Sequence, residues 1–377
     1  MKVCSETLLS LTQQLLRCPS VTPEHAGSLD IIADFCAAMG GHCRRIDRNS
    51  TSNLFVHFGN KSAQLLFCGH VDVVAPGDLN DWKHPPFSAT VDGDYLFGRG
   101  AVDMKSSIAA FLKALYDLYE QGAQLTSLAL LITSDEEGCA VDGTQFALDV
   151  LKKEGYSFVY SLVGEPTSCT TLGDTIKIGR RGSLSATVCV EGKQGHVAYS
   201  ELARNPIHAT NDILQAILAY PWSCDVPNFP ATQCVCMHID AHNTLLNVIP
   251  QRCTFSINFR YSPFYTAKKI QGVVSQILSQ SAYTTDVLWR HSAKPFYSPP
   301  GVFSDMCLTA IASIGVDNTA ISTNGGTSDA RFIRHYVKEV VEFGPKNSTA
   351  HQNNECINLN DLENLCSIYQ NIIANFT

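Results

Sequence analysis

The chain has fifteen cysteines but none of the spacing that would make them a framework. No Cys-x-x-Cys pair occurs. Cys234 and Cys236 come closest, on a segment with strand character, while Cys68, Cys189, Cys253 and Cys366 sit inside apolar runs. Such thiols read as small buried hydrophobes kept reduced, which leaves a thiolate metal site or a disulfide scaffold without support. No apolar run approaches the roughly 18 residues that a membrane span needs. No dense Lys/Arg stripe interrupts a net charge of -8, so a nucleic-acid partner is not expected. The first helical segment, about 5–17, is amphipathic and no apolar core follows a basic start. A secretory leader is therefore not expected, and a cytoplasmic protein is.

What is present is enough chain for two domains: 377 residues, 45% of them apolar. To about residue 178, helical stretches (5–17, 26–40, 106–120, 143–152) alternate with short apolar runs (54–57, 65–68, 128–133, 158–163). That alternation predicts an α/β domain on a mainly parallel, buried sheet. After Arg181 the order becomes strand 183–190, helix 206–219, strands 233–239 and 253–260, helix 267–279 and strand 285–289. This β-α-β-β-α-β pattern predicts a ferredoxin-like domain, 181–292, inserted into a catalytic domain of 1–180 and 293–377. The α/β pattern resumes with strands near 318–322 and 339–343 and a helix near 360–375.

The ionisable residues fall at particular places in that pattern. The run 65–68 leads into Gly69-His70-Val71-Asp72, and 128–133 into Asp135-Glu136-Glu137-Gly138. The run 158–163 leads into Gly164-Glu165, and 340–343 through Gly344-Pro345 to His351. Taken singly, each would be a solvated turn or a strand-end pair. Together they put imidazoles and carboxylates at the carboxyl ends of four strands of one sheet, where α/β proteins bind ligands. His70, Asp103, Glu137, Glu165 and His351 form a nitrogen/oxygen donor set suited to zinc, cobalt or manganese. Five side chains serve two metals if one carboxylate bridges. Asp103 is the expected bridge, with His70 and Glu165 on one ion and Glu137 and His351 on the other. Asp72 is expected to accept the second His70 N–H. Glu136 is left free beside the metals, as a general base.

In that order, His70-x-Asp72, Gly98-Arg99-Gly100-x-x-Asp103-Met104-Lys105, Asp135-Glu136-Glu137-Gly138, Gly164-Glu165-Pro166 and His351 resemble the M20 family of co-catalytic metallohydrolases over essentially the whole chain. The resemblance implies two zinc ions per subunit, with cobalt or manganese as substitutes, and a lid that also dimerises the protein. It further implies that His196, in Gly195-His196-Val197, reaches into a partner's site to hold the oxyanion with Asn247. The segments 176–183, 195–199, 205–208, 247–250, 322–329 and 342–345 are most similar to the branch acting on N-succinyl-LL-2,6-diaminopimelate. Cleavage of that amide, in lysine and diaminopimelate synthesis, is what they imply.

Such a substrate carries several carboxylates, and Lys177, Arg180, Arg181 and Arg260 concentrate cations in an otherwise acidic chain. Gly326 and Thr327 offer donors on a loop, and Ser183 and Tyr199 stand in the matched segments as further substrate contacts. Ser106-Ser107, Ile178 and the loop 242–246 depart from the family pattern without touching a proposed ligand. A deacylase for N-acetylornithine, a dipeptidase or carboxypeptidase, and a metal-free binding protein on the same scaffold stay open at this point.

Overall fold

The computed structural model describes residues 7–222, 226–241 and 243–377. The beginning of the first predicted helix and His242 lie outside them. The chain divides into two compact units: Met1–Ile178 with Tyr297–Ser322 and Ser328–Thr377, and Gly179–Phe296 with Thr323–Thr327. The short segment 323–327, expected in the catalytic domain, groups with the second unit.

An eight-stranded sheet runs through the first unit. Its order is His42–Arg45, Asn53–His57, Leu128–Thr133, Ser62–His70, Ser157–Val163, Glu339–Glu342, Thr175–Lys177, Ala320–Ser322. The four strands from Leu128–Thr133 to Glu339–Glu342 are mutually parallel. Antiparallel pairings flank them, so the sheet is mixed, with the predicted parallel arrangement at its centre. Every residue of Leu128–Thr133 is buried, as a central strand covered on both faces requires.

Helix Lys105–Glu120 covers this sheet because Ile108, Phe111, Leu112, Leu115 and Leu118 recur at helical spacing and are all buried. It stops at Gly122, whose left-handed φ of 87° lets the chain turn back. Phe111 stacks on Phe67 of the sheet at 4.0 Å, and both meet Tyr369 of helix Leu359–Ile373 edge-on at 6.0 Å. Sequence periodicity missed the helix Val302–Ala312, whose apolar residues do not gather on one stripe. It also missed the small sheet of Cys356–Asn358, Tyr95–Phe97 and Thr90–Asp92, whose three-residue strands are too short to show alternation.

The second unit has a four-stranded antiparallel sheet, ordered Gln233–Asp240, Arg252–Tyr261, Gly182–Glu191, Thr284–Ala293. Its helices are Pro206–Ala219, started by Asn205 accepting from the Ile207 N–H, and Ala267–Ser279, capped by Thr266. Strict alternation along Arg252–Tyr261 sends Phe255, Ile257, Phe259 and Tyr261 into a core with Ile213, Ile217, Ile270 and Val274. This is the expected β-α-β-β-α-β order. The thirteen described cysteines are free. No helix among the described residues is long and apolar enough to cross a membrane.

Candidate metal centre

The parallel strands deliver their carboxyl ends to one place in the first unit. His70 ends Ser62–His70, Glu136 and Glu137 follow Leu128–Thr133, Glu165 follows Ser157–Val163, and His351 lies beyond Glu339–Glu342. Asp103 comes from the turn ahead of helix Lys105–Glu120. Its Oδ1 lies 3.1 Å from Nε2 of His70, and its Oδ2 lies 3.3 Å from Nε2 of His351. Glu165 Oε1 is 3.7 Å from His70 Nε2, and Glu137 Oε1 is 2.7 Å from His351 Nε2. One carboxylate therefore offers one oxygen to each imidazole, and each imidazole has a second carboxylate of its own. Donors about 2.0–2.2 Å from a tetrahedral zinc stand roughly 3.4 Å apart, and the four separations here, 2.7 to 3.7 Å, bracket that spacing. Asp103 with His70 and Glu165, and Asp103 with Glu137 and His351, are both groups able to hold an ion. Glu136 and Glu137 with His70 form a third such group, so Glu136 sits beside the cluster.

The electrostatics are those of crowded carboxylates. Loss of water, then Glu165, Asp329 and Glu137 nearby, push the Glu136 carboxyl well above its usual range. Burial opposes protonation of His70, but hydrogen bonding and charge from Asp103, with Asp72 and Glu136, hold its pKa far above an ordinary imidazole. Hydrogen bonds to Asp103 and Glu137 raise His351 to about 10. Burial alone would raise Asp103, yet the two imidazoles outweigh it and hold the carboxyl well below its ordinary value.

Asp72 does accept the second His70 N–H, but through its backbone rather than its carboxylate. Nδ1 of His70 donates to the backbone oxygen of Asp72 at 2.8 Å, while its carboxylate stands 3.6 Å away. That fully buried carboxylate accepts instead from the backbone N–H groups of Glu136 (3.3 Å) and Glu137 (3.0 Å). Its backbone oxygen thus fixes the imidazole, and its carboxylate fixes the loop carrying Glu136 and Glu137. Burial raises its pKa to about 6 against the pull of His70 and these donors.

Two further groups hold the Asp103 turn, and sequence reading gave neither a role. Lys105 is fully buried, and its Nζ donates to the carbonyls of Leu15 (3.0 Å) and Cys18 (2.7 Å), with burial lowering its pKa to about 8. Glu355 is fully buried and accepts from Arg99, Gly100, Val102 and Asp103. The Gly98-Arg99-Gly100 motif and the acidic residue four places after His351 were the available signals.

Of the expected substrate residues, Lys177 is buried in the first unit, opposite Glu342 in strand register. The rest belong to the second unit. Arg181 donates to the Ala231 carbonyl and Gln233 Oε1, both at 3.1 Å, and its buried Nε has no partner among the described residues. Burial, then the charge of Arg260, weakens the hold of Arg181 on its proton. Arg260 stands opposite Ser183 and Gln233 in the sheet, and Asn258 Nδ2 donates to Ser183 Oγ at 3.2 Å. Two guanidiniums close together favour an anion between them. Arg180 Nη1 reaches the Gly326 carbonyl at 3.5 Å, beside Thr327. His196 and Tyr199 are exposed, with ring centroids 5.8 Å apart, and the Val197 N–H donates to the Asn247 carbonyl at 3.0 Å. His196 and Asn247 are thus neighbours.

Residues 66–375 match the model of peptidase family M20/M25/M40. The chain is 43% identical to the succinyl-diaminopimelate desuccinylase of Aromatoleum aromaticum, covering 97% of this chain and 96% of that one. It is 44% identical to the enzyme of the same name from an Azoarcus species, covering 96% of both. Among solved structures, an M20 family metallo-carboxypeptidase from Sulfolobus solfataricus superposes with a TM-score of 0.82 over 98% of this chain and 99% of that one, at 16% identity. A Bacillus subtilis protein described as a dinuclear metal binding peptidase from the M20 family gives 0.70 at 14% identity over 98% and 97%. At that identity the two structures speak for the fold alone.

Proposed function

That the chain belongs to peptidase family M20/M25/M40 is the premise from which we propose its reaction: hydrolysis of N-succinyl-LL-2,6-diaminopimelate to succinate and LL-2,6-diaminopimelate, a step in lysine and diaminopimelate synthesis. The observation that carries the reaction class is the division of the Asp103 oxygens between His70 and His351, with Glu136 alongside. A Glu136 carboxyl whose pKa is raised by burial and then by the carboxylates of Glu165, Asp329 and Glu137 fits a site that dications would neutralise. In this reading His70, Glu165 and Asp103 hold one zinc ion, and Asp103, Glu137 and His351 the other, with cobalt or manganese able to replace them. When bound, these ions supply Lewis acidity toward the scissile carbonyl and acidify the attacking water.

The chain's own residues do the rest. Glu136 takes a proton from the water and returns it to the departing amine nitrogen. Asp72 keeps His70 and the Glu136-Glu137 backbone in register with each other. Arg181 and Arg260, with Arg180 and Lys177, bind the substrate carboxylates, helped by Ser183, Tyr199, Gly326 and Thr327. The protein is read as a cytoplasmic homodimer joined through the second unit, where Val235, Met237 and Ile239 stand exposed on the edge strand Gln233–Asp240. His196 and Asn247 of one protomer then stabilise the oxyanion in the other.

The test measures purified protein, metal-stripped and zinc-restored, on N-succinyl-LL-diaminopimelate and on N-acetylornithine, with sedimentation to give its mass in solution. Zinc-dependent turnover of the succinyl substrate by a dimer is expected. Faster turnover of the acetyl substrate would reject the specificity, zinc-independent turnover the mechanism, and a monomer the shared oxyanion site.

A further inference from the structure

The Asp103 turn and the His351 loop come from distant parts of the chain, yet one side chain joins them. Glu355 Oε1 accepts from the N–H of Val102 at 2.8 Å and of Asp103 at 3.1 Å. Its Oε2 accepts from the N–H of Gly100 at 3.1 Å and from Arg99 Nη1 at 2.9 Å. Four donors occupy the four acceptor positions of an ionised carboxylate, so nothing is left over for another partner. The same Arg99 Nη1 donates to the carbonyl of Gln352 at 3.0 Å, next to His351. Below these contacts Gly98 N–H donates to the Glu355 carbonyl at 2.9 Å, and Cys356 pairs with Phe97 in the short antiparallel ladder. Arg99 itself lies over the Trp82 ring at 5.1 Å.

A plain turn has no need of a fully buried carboxylate, since burying a charge is costly unless its partners are fully matched. Here the partners include the backbone of the bridging residue. We propose that Glu355, acting through Arg99, is a positioning residue that sets the Asp103 carboxylate against the His351 imidazole, so that the ion held by Asp103, Glu137 and His351 depends on it more than the ion held by His70 and Glu165. The asymmetry follows from the elements: His70 and Glu165 leave the ends of neighbouring parallel strands, whereas His351 has a left-handed backbone (φ 62°) and a half-exposed side chain in a loop that Arg99 ties back. The inference rests on the ligand assignment proposed above.

Zinc titration of the metal-stripped protein by calorimetry tests it, with the visible spectrum of the cobalt-loaded protein as a second readout. Wild type is expected to take up two ions. Glu355→Gln keeps the shape but loses two acceptor positions; it should weaken the ion at Asp103, Glu137 and His351, expected to bind second, by about 10–100-fold, the usual cost of disturbing a ligand's support. The first ion should change by less than about threefold, and Glu355→Asp should fall between the two proteins. A spectrum altered only at the second cobalt equivalent agrees with the proposal. Unchanged binding in folded Glu355→Gln, or equal weakening of both ions alongside a lower melting temperature of the metal-free protein, overturns it. If Glu355→Gln does not fold, Arg99→Lys decides: selective weakening of the second ion supports the proposal and an unchanged titration overturns it. Asp103→Asn separates the layers. Two ions bound normally there reject the ligand assignment itself, whereas loss of the second ion there but not in the Glu355 and Arg99 variants rejects only this inference.

Discussion

The two units bury charge in opposite ways. In the first, carboxylates and imidazoles are gathered at the ends of parallel strands, and Glu355, Asp72 and Lys105 are fully buried and bonded mostly to backbone groups, with Arg99 added at Glu355. In the second, the sheet alternates an apolar face with a half-buried polar one, and its cations sit on or beside that polar face, as Arg181 and Arg260 do. The first arrangement suits groups that must keep a shifted affinity for protons or metals. The second suits groups that recognise a charged ligand and release it. On the proposed roles, reaction and recognition draw on different kinds of sheet.

The sharpest way to break that division is to remove Glu136, the proposed base. Glu136→Gln should lower kcat by about a thousandfold, within the range for general-base loss, and leave KM and zinc content close to wild type. Activity retained within tenfold would move the base elsewhere. Next comes the pair in the second unit. Arg181→Ala and Arg260→Ala should each raise KM by about 10–100-fold, the weight of a charge-assisted hydrogen bond, with kcat changed by less than about threefold. A fall in kcat at constant KM would place those residues in the chemistry and dissolve the contrast.

The smallest effect concerns a carboxylate of the first unit with no part in the cluster. Burial would raise the pKa of Asp174, but the N–H groups of Thr171, Cys169 and Thr170 lower it to about 2. A depressed pKa in the fold means stability present above the unfolded value near 4 and lost as pH falls toward 2. Because the group is partly exposed, Asp174→Asn should cost less than about 1 kcal/mol at neutral pH. The difference from wild type should vanish near pH 2 in urea titrations at several pH values. A difference that grows on acidification would reverse the assigned sign.

Much of this was legible beforehand because continuous apolar runs ending in His or Glu are rare and mark buried parallel strands. The runs around 65–68 and 128–133 therefore announced both the sheet and the residues His70 and Glu136 at its ends. The carboxylate of Asp72 was misjudged because residue spacing predicts which face a side chain takes, but not that a neighbouring loop will present two N–H groups to it. Glu355, among Asn353, Asn354 and Cys356, reads as part of a solvated loop. Only the pairing of Cys356 with Phe97, a contact far along the chain, puts it under the Asp103 turn. Lys105 has the same history, since nothing local says that carbonyls of residues 15 and 18 will receive it.

The hold of Glu355 on Asp103 also has a consequence in time. The two residues are 252 positions apart. At about 5–20 residues per second on a ribosome, roughly ten seconds to a minute separates the appearance of the turn from that of its clamp. For the later part of that interval the growing chain carries Asp103, Glu137 and Glu165 without Glu355 or the His351 imidazole. Ions met early would find a partial and loosely held set of donors. Finished chains, rather than growing ones, are where a defined pair of ions can be selected.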